Sequence, residues 1–164
     1  MAQSAINVVR FCLEGRGMLL TIDPGTKAMG WALWEHSQMV DCGLARGKSW
    51  TEAVMQMPKI SVSNLAIEDQ QIYRTSQIDA HALLAVARVV GAVIAYYSFC
   101  PHRLVKPSKW KGQLPKNICG ARTLSKLSSE EKALIGKAGC PRYLEHNLLD
   151  AIGIGLWATG RRSC

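Results

Sequence analysis

Three acidic residues lie where carboxylates can do chemistry. Asp23 ends the apolar run MLLTID, Glu68 ends the apolar run NLAIE, and Asp150 lies in an amphipathic segment near the C-terminus. If the two runs are neighbouring parallel strands, Asp23 and Glu68 emerge at the carboxyl edge of one sheet, where ligands bind in α/β folds. Converging carboxylates repel one another unless a cation joins them, and hard oxygen ligands suit Mg²⁺. Two such ions can activate water and stabilise the leaving oxygen of a phosphodiester, so the pattern predicts a Mg²⁺ site.

The neighbours of Asp150 extend this candidate site. His146 precedes it by four positions and Asn147 by three, and both spacings share a helix face with Asp150. The roles open to His146 are a metal ligand, a proton shuttle and a contact to a scissile phosphate. Each acid alone also has a simpler interpretation, because Asp-Pro-Gly is typical of a turn, while Glu68 suits a strand end and Asp150 an exposed helix face.

A basic segment follows these acids in the chain. Residues 102–129 contain no acid, and the formal net charge of the whole chain is +8 with a pI of about 9.4. A balance of this kind indicates a polyanionic partner, nucleic acid before membrane. The segment is interleaved with prolines and a tryptophan, which favours a surface for the phosphate backbone. The predicted DNA-binding residues are Lys106, Lys109, Trp110, Lys111, Lys116, Arg122, Gln70 and Arg74.

The elements that must position these residues follow from hydrophobic periodicity. Apolar and alternating runs predict strands, and three- and four-residue spacing predicts helices. The expected strands are 18–23, 30–36, 38–45, 64–69 and 102–106, and the expected helices are 49–57, 76–98, 128–137 and 142–160. This order predicts an α/β fold with a five-stranded mixed sheet, a three-strand antiparallel meander plus two parallel strands, flanked by helices. Gly153 and Gly155 cost helix propensity, so we expect them to allow close packing against the sheet.

The chain is expected to form one domain over residues 18–164, with residues 1–17 as a poorly ordered extension. The N-terminal stretch is not a convincing signal peptide, and the longest apolar stretch is broken by Arg88, so we expect no membrane span. The six cysteines form no Cys-x-x-Cys pair. We expect reduced thiols and a cytoplasmic location.

Four motifs resemble those of one family in the same order. The segment TIDPGTKAMGWAL resembles the opening of the RuvC-like Holliday junction resolvases, the crossover junction endodeoxyribonucleases. LAIEDQ is similar to their fourth strand with its catalytic Glu, and EHNLLDAIGIGLW to their last helix. VKPSKWKGQLPK is similar to the basic segment of phage-type members. The matches span residues 18–160, nearly the whole expected domain.

This resemblance implies a ribonuclease H-like fold, a homodimer and cleavage of four-way DNA junctions with Mg²⁺ or Mn²⁺. Asp23, Glu68 and Asp150 match the family's catalytic, metal-binding acids. The family often carries a fourth acid or a His at the position of Asn147. Either His146 acts from the adjacent position as the fourth catalytic and metal-binding residue, or the second metal is held more weakly. We predict an endonuclease that hydrolyses branched DNA with a metal-activated water. The alternatives are a catalytically weak or inactive junction-binding protein of the same fold, and a YqgF-like nuclease that acts on RNA.

Overall fold

A computed structural model describes residues 17–70, 79–98, 100–112 and 114–161. Its sheet has the strand order β3-β2-β1-β4-β5. The strands are β1 Met18–Asp23, β2 Ala28–Glu35, β3 Gln38–Arg46, β4 Asn64–Glu68 and β5 His102–Val105. β1, β2 and β3 pair antiparallel, whereas β4 is parallel to both β1 and β5. The predicted five-stranded mixed sheet is therefore confirmed.

Helices cover both faces of the sheet. They are α1 Trp50–Met55, α2 Ala80–Tyr96, α3 Pro107–Trp110, α4 Lys116–Ser125, α5 Ser129–Lys137 and α6 Glu145–Ala158, with a 3₁₀ turn at Arg142–Leu144. One core cluster joins Leu20 and Ile22 of β1 to Val89 and Val93 of α2. The other includes Leu19 of β1 and the buried face of α6. Because β1 and β4 lie between two helical layers, their sequences are apolar on both faces.

The helix boundaries differ from the prediction in two places. α2 begins at Ala80, where the Asp79 side chain accepts a hydrogen bond from the His81 N–H, and the expected first turn at 76–78 lies outside the described residues. The basic segment contains two helices that the periodicity did not indicate, α3 and α4. α3 is a single turn that starts at Pro107, and α4 is too polar to carry a clear apolar stripe.

Glycines allow α6 to approach the sheet and the indoles beneath it. A Cβ on Gly30 of β2 would lie 1.9 Å from the carbonyl oxygen of Asn147. A Cβ on Gly155 would lie 2.1 Å from the Trp34 indole, and one on Gly153 would lie 2.4 Å from the Trp110 ring. The expected close packing against the sheet is confirmed for Gly155, since Trp34 lies on β2, whereas Gly153 packs against Trp110 of α3.

None of the described helices is long and apolar enough to cross a membrane. Cys42, Cys100 and Cys140 are free thiols, as expected. Cys119 is disulfide-bonded, which differs from the expectation that all the cysteines are reduced.

Replacing Gly30 with Ala tests the close approach of α6. We expect a loss of about 1–3 kcal/mol in the free energy of unfolding, because the new methyl group overlaps the helix backbone at Asn147. Urea unfolding measures this loss. Gly136→Ala in α5 is the control, because no atom outside the helix lies within 4 Å of its Cβ position. It should be neutral or stabilise by up to about 1 kcal/mol, and equal effects of the two substitutions would contradict the packing argument.

Candidate metal centre and active site

Three carboxylates meet at the carboxyl edge of the sheet. Asp23 ends β1 and Glu68 ends β4, and the parallel register that pairs Ile22 with Ile67 brings the two acids out side by side. Asp150 lies on α6, which packs against β1, β2 and β4. One ligand oxygen from each of these three residues lies within 4.8 Å of the others. Residues far apart in the chain therefore form one acidic cluster.

A buried threonine fixes the position of Asp150 relative to β1. The Thr21 hydroxyl donates to the Ala151 carbonyl oxygen at 2.8 Å and accepts from Trp34 Nε1 at 3.0 Å. Thr21 is 0% exposed, so both hydrogen bonds form away from water, where leaving either group unpaired costs about 1–3 kcal/mol. Since Ala151 follows Asp150 and Thr21 shares a strand with Asp23, this contact sets the spacing of the two acids.

Glu68 is held by a ring of donors. It is 5% exposed, and its Oε2 accepts from Trp110 Nε1 at 3.0 Å and from Lys111 Nζ at 3.3 Å. Its Oε1 accepts from Gln70 Nε2 at 3.4 Å. The Trp110 ring reaches this position against Gly153, where a larger residue would collide with it. The carboxylate is thus oriented on both oxygens.

Lys111 bridges two of the acids. Its Nζ lies 3.3 Å from Glu68 Oε2 and 3.3 Å from Asp150 Oδ2, and 4.7 Å from the centre of the Trp110 ring. Burial acts to lower the pKa of Lys111, but Glu68, Asp150 and more weakly Asp23 outweigh it, so the pKa is raised. Lys111 therefore stays charged and acts as a built-in counter-ion to the acidic cluster.

Burial raises the pKa of Glu68 above its usual value. Lys111 opposes this shift, the negative charge of Asp150 adds to it, and the hydrogen bonds from Lys111 and Trp110 offset part of it. The ionised form of Glu68 is thus less favourable in the folded protein than in the unfolded chain. An additional cation between Glu68 and Asp150 would relieve this cost.

The three carboxylates suit a hard divalent cation as metal ligands. Mg²⁺ and Mn²⁺ prefer carboxylate oxygens, and the spacing of the three acids suits a shared ion. Among the described residues, this is the one group of three or more His, Cys, Asp or Glu side chains that could hold a metal. Asp23, Glu68 and Asp150 are the residues that could hold it.

Comparison with solved structures gives three neighbours of note. RuvC from T. thermophilus, solved in complex with a Holliday junction substrate, matches with a TM-score of 0.53 and 17% identity, over 88% of this chain and 94% of that chain. The yeast mitochondrial Holliday junction resolvase matches with a TM-score of 0.56 and 12% identity, over 98% of this chain and 88% of that chain. The fowlpox virus Holliday junction resolvase matches with a TM-score of 0.59 and 13% identity, over 88% of this chain and 98% of that chain.

The chain has the fold of the Holliday junction resolvases. It therefore also has the predicted ribonuclease H-like architecture. The likeness covers most of each resolvase and most of this chain, although sequence identity is low. No family model matches the sequence, and no curated protein matches it.

On this resolvase fold, His146 lies one helical turn before Asp150 but outside the acidic cluster. It is exposed and does not join the three acids in the metal-binding group. With Arg142 and Asp150 it lines a cavity of about 400 Å³. Its predicted role in metal binding and catalysis stays a prediction.

The predicted DNA-binding residues of the basic segment separate into two groups. Lys106, Lys109 and Arg122 are exposed. Trp110 is 1% exposed, which corrects the expectation that it faces DNA, because its indole N–H is used to hold Glu68. Lys111 points inward to the acids, and 18% of its side chain is exposed.

The three remaining predicted DNA-binding residues are Gln70, Lys116 and Arg74. Gln70 contacts Glu68 and is partly buried. Lys116 begins α4, and its side chain lies outside the described residues. Arg74 also lies outside them.

Sequence reasoning missed the positioning roles of Thr21 and Trp110. A lone Thr in an otherwise apolar strand was the available signal for Thr21, because a buried hydroxyl needs a partner.

Replacing Lys111 with Met should strengthen metal binding. The ammonium lies on oxygens of Glu68 and Asp150 that a divalent cation would also use, and two unit charges about 4 Å apart interact by about 4 kcal/mol at an effective dielectric constant of 20. We expect Mn²⁺ affinity to rise by about tenfold, or about 1.4 kcal/mol, in isothermal titration calorimetry at neutral pH. Lys109→Met, which removes an exposed neighbouring charge, should change the affinity little. Unchanged affinity in Lys111→Met would show that lysine and metal do not compete.

Replacing Glu68 with Gln should alter the pH dependence of stability. Because the pKa of Glu68 is raised in the folded protein, the metal-free wild type loses stability as pH rises from about 4.5, the usual value, through the raised pKa. We therefore expect Glu68→Gln to gain stability relative to wild type over that range. Urea unfolding of metal-free protein between pH 4 and pH 8 measures the difference. Glu35→Gln at the exposed end of β2 is the control, and a difference that does not vary with pH would contradict the assignment.

Proposed function

We propose that the chain is a divalent-metal-dependent endonuclease of the RuvC-like family that cuts four-way or branched DNA junctions. One observation carries this proposal: three carboxylates from β1, β4 and α6 lie within 4.8 Å of one another on the fold of proteins that resolve Holliday junctions. An acidic cluster at a sheet edge beside exposed lysines suits a reaction on a phosphodiester, because a divalent ion can join the acids to the phosphate.

Asp23, Glu68 and Asp150 would hold the ions, with His146 as a fourth candidate, and we propose two Mg²⁺ or Mn²⁺ ions per site. When bound, the ions would polarise the phosphate and lower the pKa of water. Trp110 holds Glu68 in a fixed orientation through its indole N–H. Lys111 keeps its positive charge beside the acids, where it can pair with an entering phosphate.

The proposal includes a homodimer, as the resemblance implies. One face of α2, which also carries the exposed Arg88, supports it, because small or apolar exposed residues recur there at three- and four-residue spacing. They are Ala80, Leu84, Ala87, Gly91 and Ala95, and Leu84 is 55% exposed. Small residues let two helices approach closely. We further propose a phage-type member that acts in recombination or repair in the cytoplasm.

A second candidate is a protein that binds junctions and does not cut them. Lys111 favours it, because its ammonium already lies on the oxygens of Glu68 and Asp150 that a metal would need. Asn147, at a position where the family often has an acid or a His, also favours it. Both candidates share the same fold and basic surface, so cleavage decides between them.

Cleavage of labelled DNA tests the function. The wild type should make paired nicks in a four-way junction with Mg²⁺ or Mn²⁺ and none with a chelator, and it should leave linear duplex uncut. Asp23→Asn should lower the rate by at least about 10²-fold, since it removes a charged ligand, while junction binding stays within a few-fold of wild type. Asp41→Asn, an exposed acid on β3, is the control.

Three results would overturn the assignment. Full activity in Asp23→Asn would remove the acidic cluster from the reaction. Binding without nicking under both metals would favour the second candidate, and preferential cleavage of a structured RNA would favour the YqgF-like alternative.

A further inference from the structure

A second basic surface lies at the β3 side of the molecule, away from the basic segment. It is a cavity of about 610 Å³ lined by Lys27, Arg46, Lys48 and Tyr143, which we call the β3-side groove. All three cations are exposed, and the Tyr143 side chain is exposed at the rim. Glu52 is the acid among its lining residues. The groove therefore carries net positive charge.

The groove is held in shape by contacts between its loops. The Gly47 N–H donates to the Lys27 carbonyl oxygen at 3.0 Å, which ties the β3–α1 loop to the β1–β2 turn. Arg46 Nη2 donates to the Tyr143 hydroxyl at 3.4 Å, which links the groove to the 3₁₀ turn before α6. The Lys48 N–H donates to Glu52 Oε2 at 2.9 Å. These bonds fix the backbone from which Lys27 and Lys48 project, and they hold the Arg46 side chain against Tyr143.

The groove and the acidic cluster share one edge of the sheet. β3 runs in the same direction as β1 and ends at Arg46, which pairs with Ala28, while Asp23 pairs with Gly30. Arg46 is thus two strands across and two residues along from Asp23, and strand geometry puts their backbones about 12 Å apart. Duplex DNA rises about 3.4 Å along its helix axis per nucleotide of one strand. The distance therefore corresponds to three to four nucleotides along that axis.

The acids lie between two positively charged surfaces. Asp23 and Glu68 are on the central strands β1 and β4, Lys106 and Lys109 follow β5 on one side, and the β3-side groove lies on the other. An acidic cluster repels phosphates, and flanking cations are needed to bring a polyanion across it. A nucleic-acid strand that crosses this edge with its phosphate at the acids would extend into the groove.

We propose that the β3-side groove binds the phosphate backbone of one junction arm beside the acidic cluster. The inference rests on the proposed function for its substrate, and it extends the binding surface beyond the basic segment. Lysine and arginine contacts of this kind position DNA without reading its sequence. The groove therefore contributes affinity and orientation, whereas the reaction belongs to the acids.

The test is salt-dependent binding of a fluorescent four-way junction. Asp23→Asn is used as the background to prevent cleavage, and it is compared with the same protein carrying Lys27→Gln, Arg46→Gln and Lys48→Gln together. Affinity should fall by at least about tenfold at moderate salt. The slope of log K against log salt should shrink by about 0.9 per lost phosphate contact, or by up to about 2.7 for three.

The control carries Lys59→Gln, Lys132→Gln and Lys137→Gln, three exposed lysines that do not line the groove. It has the same net charge as the groove variant, so it reports the effect of charge alone. Equal affinities and equal slopes in the two variants would overturn the proposal. If the triple groove variant melts earlier than the control, the three single variants replace it, and each should reduce the slope by about 0.9.

Binding to linear duplex DNA distinguishes a failure of this inference from a failure of the proposed function. If the background protein binds duplex as tightly as junction, the proposed junction selectivity is wrong, but a weaker duplex affinity in the groove variant still supports the groove. If the background protein prefers junctions and the groove variant behaves as the control does, the groove proposal alone is wrong.

Discussion

Mutual repulsion among three carboxylates is the constraint on which the rest of this structure depends. Asp23, Glu68 and Asp150 lie within 4.8 Å of one another, and a pair of like charges at about 4 Å costs about 4 kcal/mol at an effective dielectric constant of 20. The Lys111 ammonium offsets this repulsion from between Glu68 and Asp150, and Trp110 adds a hydrogen bond. The protein thus keeps its acids together by supplying one cation of its own, and the negative charge that remains suits a divalent cation.

Close packing of the backbone also determines where the acids lie. α6 comes close enough to bring Asp150 to β1 because Gly30 leaves room for the helix backbone at Asn147. Thr21 then locks the two elements through the Ala151 carbonyl. Gly153 leaves room for the Trp110 ring that holds Glu68. Small residues in the core therefore control the geometry of charged residues at the edge, and their substitution would disturb the acidic cluster without touching a carboxylate.

The sequence was sufficient for the strands and the three acids because both signals are local. An apolar run that stops at an acid marks a strand and its end, and parallel pairing of β1 and β4 then brings Asp23 and Glu68 together. Helix α3 was missed because it is a single turn, and α4 was missed because polar and basic residues interrupt its apolar ones. The inward turn of Trp110 and Lys111 was missed because their neighbours in the chain are exposed lysines, and only tertiary packing decides that these two side chains face Glu68. The β3-side groove joins three loops distant in sequence, so no single segment indicates it.

The order of the acids along the chain has a consequence for synthesis. Asp150 is made last, on a helix whose two interior glycines each cost about 1 kcal/mol of helix propensity, so α6 gains its stability from the finished sheet. A nascent or truncated chain that ends before α6 has the first two acids and most of the basic segment, but it lacks a core layer and the third carboxylate. The cluster of three carboxylates is therefore not complete until the whole domain has left the ribosome and folded.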